Sequence, residues 1–261
     1  STKNQNPDRG KTLQIDMNGD FTFAASGLRT PNGIGFGFNG GIYITDNQGD
    51  WLPSSKLLHL KNGAFYGNRS VDPVGHKETA EVPPVVWLPQ GEIGNSPSQP
   101  APLNIGPYQN QMVLGDVTHG GVKRVYVEEV GGLYQGAVFR FSQGLEAGIN
   151  RLVWGPDKGL YVGGIGSTGN WGQEGKERFG LQRMRFNGNV PFEMLAVRAK
   201  TNGLEIELTK AMLDAMGNSP DDYLVQMWRY VPTVEYGGPK VDEKRIRPAS
   251  VTVSSDRTKV F

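Results

Sequence analysis

Cysteine is absent from the 261 residues. That removes disulfides, thiolate catalysis and cysteine-based zinc or iron sites together. Histidine is scarce, and His59, His76 and His119 are too scattered for a zinc-site spacing. No apolar run approaches the ~18–20 residues that a membrane-spanning helix needs. Charge is nearly balanced, with 27 Lys+Arg against 26 Asp+Glu, and no basic block stands out. Nucleic acid is therefore not an expected partner. The Gly-rich run Gly163–Gly169 lacks the Gly-Lys-Ser/Thr ending of a phosphate loop, and no helical pattern follows it. It reads as a strand exit where a ligand can come close to the backbone.

Glycine and proline are plentiful, 37 and 17 residues, while hydrophobics make up 37%. This is the composition of a globular chain of many short strands and tight turns. One stretch shows the plan. Gly27–Phe36 leads into Gly37, a turn closes at Gly41, and Ile42-Tyr-Ile-Thr45 follows as a strand. That strand discharges Asp46, Asn47, Gly49, Asp50 and Trp51 into one polar loop. The plan returns at Arg151–Trp171: Gly155 matches Gly37, Gly159 matches Gly41, Tyr161 matches Tyr43 and Trp171 matches Trp51. A unit between them begins near Gln111 and continues through Val122–Glu129 and Gly136–Phe141. At least three sheet units recur, as blades of a β-propeller do, with equivalent loops converging on one channel. Strands are also expected at Leu13–Ala25, Lys56–Lys61, Val85–Leu88 and Leu181–Phe186. Phe65–Asn110 otherwise reads as one long loop, and loops beyond ~15 residues are commonly functional or disordered.

After Pro191 the texture changes. Leu204–Thr209, Tyr223–Tyr230 and Ser250–Ser254 alternate as half-buried strands do, and Lys210–Met216 has room for a short helical turn. The expected division is a propeller portion at 1–191 and a separate, incomplete β-sandwich module at 192–261. Both ends look cut, so the expectation is a piece of a longer, processed protein.

The segment Gly27-Leu-Arg-Thr-Pro-Asn-Gly33, with Gly41–Trp51 and Phe65-Tyr-Gly67, resembles the glucose/sorbosone dehydrogenase-like six-bladed propellers. The resemblance covers roughly residues 13–190. It implies an all-β fold: about three blades of a six-bladed propeller, then an incomplete β-sandwich. It implies an exported bacterial protein, periplasmic or extracellular, whose remaining blades come from the parent chain or a partner. It also implies oxidation of a carbohydrate hydroxyl with pyrroloquinoline quinone (PQQ) and calcium. In that case Arg29, Thr30, Lys123 and Arg151 fall where the cofactor is held. Asp46, Gly49 and Asp50 fall in the calcium loop.

The residues have readings of their own. Pro31 keeps Thr30 extended, so Arg29 can aim a planar fork at a carboxylate or sugar hydroxyl; the alternative is an inter-blade ion pair. Asp46, Asn47 and Asp50 approach an oxygen-ligand calcium spacing, or serve as turn caps. Asp116 and His119 share the equivalent loop of the next unit. There His119 is a candidate general base beside Asp116, or a hydrogen-bonded structural histidine. Trp51 and Trp171, flanked by Asn47 and Asn170, offer stacking faces for a sugar, or pack blade against blade. The leading expectation is a sugar dehydrogenase-like oxidoreductase with catalytic His119, Arg29 and Asp116. A non-catalytic glycan- or protein-binding propeller is the alternative, and a quinone-free hydrolase or lyase is a third.

Overall fold

The computed structural model describes residues 6–166, 175–214 and 216–261. Among these there is no α-helix, only strands and two single-turn 3₁₀ segments. β1 (Thr12–Ile15) and β2 (Phe21–Ser26) form a hairpin. β3 (Pro31–Phe36), β4 (Ile42–Asp46) and β5 (Ser55–His59) meander. β6 (Ala64–Phe65) returns parallel to β2, and β7 (Val86–Leu88) pairs with β5. Blade 1 is thus β3-β4-β5-β7, with β1-β2-β6 lying beside it.

Blade 2 is a four-stranded meander of β8 (Pro97–Ile105), β9 (Tyr108–Asp116), β10 (Val122–Val130) and β11 (Leu133–Ser142). Blade 3 has β12 (Gly148–Trp154), β13 (Leu160–Ile165) and β14 (Phe179–Met184). The C-terminal part pairs β15 (Met194–Lys200) with β16 (Gly203–Leu208), and β17 (Val225–Arg229) with β18 (Val241–Ile246). β19 (Lys259–Val260) joins the free edge of β16.

The blades stack face to face because strand residues alternate between two covered faces. In β9, Met112 and Leu114 join Tyr43, Leu57 and Leu88 of blade 1 in one core. Val113 points the other way, to Ile149, Leu152, Leu160 and Val162 of blade 3. A third core of Ala25, Leu28, Ile44, Leu58 and Tyr66 joins blade 1 to the first sheet. The inner strands β3, β8 and β12 lie side by side and run the same way. Ser98 Oγ donates to the Ile149 carbonyl at 2.7 Å, and Trp154 Nε1 to the Pro102 carbonyl at 2.7 Å. Glycine permits this approach: a Cβ on Gly33 would lie 2.5 Å from the Gln99 backbone.

The repeat seen in the sequence is a repeat of turns. Gly37 N–H donates to Gly41 O at 2.9 Å, and Gly155 N–H to Gly159 O at 2.9 Å. Asn39 and Lys158 both take positive φ, 53° and 60°, inside these turns.

Four expectations need correction. Blade 2 begins at Pro97, inside the stretch read as a long loop. Its first strand carries Pro97, Pro100 and Pro102, which argue against a central strand. β8 pairs only with β9, so it is an edge strand and the missing N–H groups cost no ladder bonds. β15, β18 and β19 have no counterpart among the expected strands. Ser250–Ser254 contributes only an isolated bridge at Val253. The described part of Lys210–Met216 forms turns and no helix.

β15 lies against β10 and β11 of blade 2. Arg124, fully buried, anchors it: its guanidinium donates to the Met194 carbonyl at 2.7 Å and the Leu195 carbonyl at 2.9 Å. Gln111 Oε1 accepts from the same guanidinium at 2.6 Å. The two C-terminal sheets face each other across an apolar cleft of about 520 Å³, lined by Leu204, Ile206, Val225, Ile246 and Val260.

Candidate functional site at the blade mouth

In an antiparallel blade the first strand starts where the second ends. Arg29 and Thr30 therefore sit beside Asp46, and Asn95 and Ser96 beside Asp116. The register pairs Pro31 with Asp46, Pro97 with Asp116, and Gly148 with Ile165.

Asp46 is buried and faces inward. Its oxygens accept from Arg29 N–H at 2.9 Å and Thr30 N–H at 2.8 Å. Burial pushes its carboxyl up, opposed by the Lys56 cation and these two N–H groups. Lys56, buried in turn, donates to the Tyr66 carbonyl at 2.7 Å, and burial pulls its ammonium down. Asp116 repeats the device. It accepts from Asn95 N–H at 2.8 Å, Ser96 N–H at 3.3 Å, Thr118 N–H at 3.1 Å and His119 N–H at 2.7 Å. Both carboxylates clamp the chain where an inner strand begins.

Asp50 occupies a different setting. Its side chain accepts from Arg29 Nε at 3.5 Å, from Asn68 Nδ2 at 3.5 Å and from the Ser70 hydroxyl. Asn68 also donates to the Asp50 carbonyl at 2.8 Å. Sequence reasoning misses Asn68 and Ser70, which lie in the stretch read as one loop. Arg69 shapes that loop, binding the carbonyls of Gly67, His76 and Thr79 and the Glu81 carboxylate. Trp51 takes φ 64°, rare for a bulky side chain, beside the Arg69 guanidinium. Such outliers persist only where the surroundings hold them, often at functional sites. Asn47 is buried, and its Oδ1 has no partner among the described residues.

The other sequence candidates spread over the remaining blades. His119 is part-buried, with Nδ1 lacking a partner among the described residues. Burial, with Lys123 second, holds its imidazole below the ordinary range. Lys123 is 0% exposed, donates to the Gly120 carbonyl, and is pulled down to about 8 by burial. Arg151 stands at the inner edge of blade 3, donating to the Asn32 carbonyl at 3.2 Å and to Asn150 Oδ1 at 3.0 Å. Asn32 Nδ2 in turn donates to Asn150 Oδ1 at 3.1 Å, so blades 1 and 3 touch at the axis. Asn170 and Trp171 lie outside the described residues.

Several of the residues the resemblance assigns to calcium and quinone are engaged within the protein. The Gly49 carbonyl accepts from Gly237 N–H at 3.0 Å, and Asp46 is taken by Arg29 and Thr30. Among the described residues no three His, Asp or Glu side chains are grouped to share a metal ion. Of the cations, Lys123 is enclosed and Arg151 is bound to Asn32 and Asn150.

No protein-family model matches the chain, and no curated protein matches it. Solved structures do. One is a putative oxidoreductase (glucose dehydrogenase) from Thermus thermophilus, at 19% identity and TM-score 0.46, covering 62% of this chain and 46% of that one. Another is a glucose dehydrogenase at 15% identity and TM-score 0.47, covering 68% and 55%. A third is the PQQ-bound aldose sugar dehydrogenase of Streptomyces coelicolor, at 15% identity and TM-score 0.44, covering 62% and 50%. The chain spans about half the length of these structures.

Proposed function

We propose that the mouth of blade 1 binds a carbohydrate. The observation that carries this reading is the grouping of Arg29, Asn68 and Ser70 around Asp50, on the loop that also carries Trp51, whose indole faces the Arg69 guanidinium. Sugars need both parts: a flat apolar face for their C–H groups and directional donors and acceptors for their hydroxyls. Arg29 supplies a fork that suits vicinal hydroxyls or a sugar carboxylate. The reading is of recognition on a sugar dehydrogenase-like propeller in an exported protein. The exposed apolar faces, Leu13, Ile15 and Phe21 at one end and Val153, Phe179 and Leu181 at the other, suit further blades from the parent chain or a partner.

A second reading is oxidation of the bound sugar, favoured by His119. Burial holds its imidazole below the ordinary range, so it is neutral at neutral pH, the state in which a histidine can take a hydroxyl proton.

Titration calorimetry of the full chain with neutral hexoses and hexuronates tests the proposal. Saturable binding, weakened at least tenfold (about 1.4 kcal/mol) by both Trp51→Ala and Arg29→Ala, supports it. Absence of binding by folded protein, or binding indifferent to both changes, refutes it. Retention of binding in His119→Ala with loss of any dye-linked sugar oxidation would add the second reading.

A further inference from the structure

The segment Thr233–Gly238, between β17 and β18, crosses the Gly49–Pro53 loop of blade 1. Trp51 N–H donates to the Thr233 carbonyl at 2.7 Å. Gly237 N–H donates to the Gly49 carbonyl at 3.0 Å, and Gly238 N–H to the Pro53 carbonyl at 2.9 Å. Asp50 and Tyr236 form an isolated antiparallel bridge. A residue over two hundred positions downstream of Arg29 thus reaches it: the Tyr236 ring lies 5.0 Å from the guanidinium carbon. The segment is pinned on both sides. Tyr230 packs on Trp87 at 5.0 Å, and Lys240 pairs with Glu92 at 2.7 Å.

The consequence for Arg29 is specific. Its Nε faces Asp50 and one face of its guanidinium is covered by Tyr236, so the side chain is only 13% exposed. Tyr236 itself is 68% exposed. It covers Arg29 while its own far side remains in solvent, as a lid does and a core residue does not. The attachment is a few main-chain bonds and a ring contact on an exposed loop, the low-stability kind that opens locally.

We propose that Thr233–Gly238 is a strap that the C-terminal module lays over the mouth, with Tyr236 the plug that controls access to Arg29. This goes beyond the carbohydrate reading, since it concerns access to Arg29 whatever the mouth binds.

Phenylglyoxal labelling of the full chain, followed by peptide mass spectrometry, measures access to each guanidinium. Arg69, bonded through all three of its guanidinium nitrogens, is the slow reference, and the exposed Arg247 the fast one. Tyr236→Ala removes the plug and keeps the backbone bonds. Gly237→Val breaks the strap itself: Gly237 has φ +69°, and a Cβ there would lie 2.4 Å from Gln48 Nε2. Either change should speed Arg29 labelling about tenfold, the effect of roughly 1.4 kcal/mol of lost closure, with Arg69 unchanged. The proposal is overturned if Arg29 in the unaltered chain labels as fast as Arg247, or if neither change speeds it. Equal acceleration at Arg29 and Arg69 would also overturn it, because loosening of the whole mouth would then govern access.

Discussion

Replacing Asp116 by Asn separates a clamp from a catalytic group. The carboxylate is fully buried and accepts four main-chain N–H bonds, from Asn95, Ser96, Thr118 and His119. Asparagine keeps one oxygen, which can serve the three donors on Oδ1. Its NH₂ then meets the Asn95 N–H, donor against donor, at the 2.8 Å position. The lost bond to a charged acceptor is worth about 1.5–3 kcal/mol. The three survivors fall to neutral strength, roughly half of what they were. The sum is about 3–5 kcal/mol, the range for breaking a buried charged network. In urea, with an m-value of about 3 kcal/mol/M, the unfolding midpoint should drop by about 1 M or more. A loss under about 1 kcal/mol would refute the clamp. So would loss of sugar binding or turnover with unchanged stability, which would return Asp116 to the chemistry.

Four further outcomes are expected. Gly33→Ala should cost about 1–3 kcal/mol by overpacking, because its Cβ meets the Gln99 backbone at 2.5 Å. Gly163→Ala, with nothing closer than 3.9 Å, should be near neutral in the same urea titration. His59 and His119 are both held below 6.5 by burial, so the unfolded chain takes up protons first as pH falls. Stability should therefore drop below about pH 6.5 and be insensitive to these groups above it; His59→Phe should make that drop shallower in midpoints taken at about pH 5 and 7. Lys123 is lowered from 10.5 to about 8, so between these values the unfolded chain binds more protons. Stability should rise by about 2–3 kcal/mol from about pH 8 to 10 on this account, and Lys123→Met should remove the rise.

The fold was legible where the chain repeats itself. Gly37, Gly41 and Tyr43 against Gly155, Gly159 and Tyr161 marked the same turn twice, because a tight turn admits few residues. β8 was hidden by its prolines, which read as loop until the strand is known to have one free edge. β15 was hidden because its placement depends on Arg124, whose burial no local pattern reveals. At the site, Asp46 and Asp116 were conspicuous but their direction was not. Spacing places a carboxylate in a loop; it does not say whether it turns outward to a ligand or inward to the N–H groups of Thr30 or Ser96. Asn68, Ser70 and Tyr236 carried no local signal, because what brings them to Asp50 is tertiary contact.

The strap also sets an order of events. Blade strands mostly pair with neighbours a few residues away, so each blade can form as its own hairpins emerge. The bridge from Asp50 to Tyr236 cannot. It waits until nearly the whole described chain has been made. During synthesis, then, these three blades stand with Arg29 uncovered, and the mouth takes its closed form only when the segment between β17 and β18 arrives.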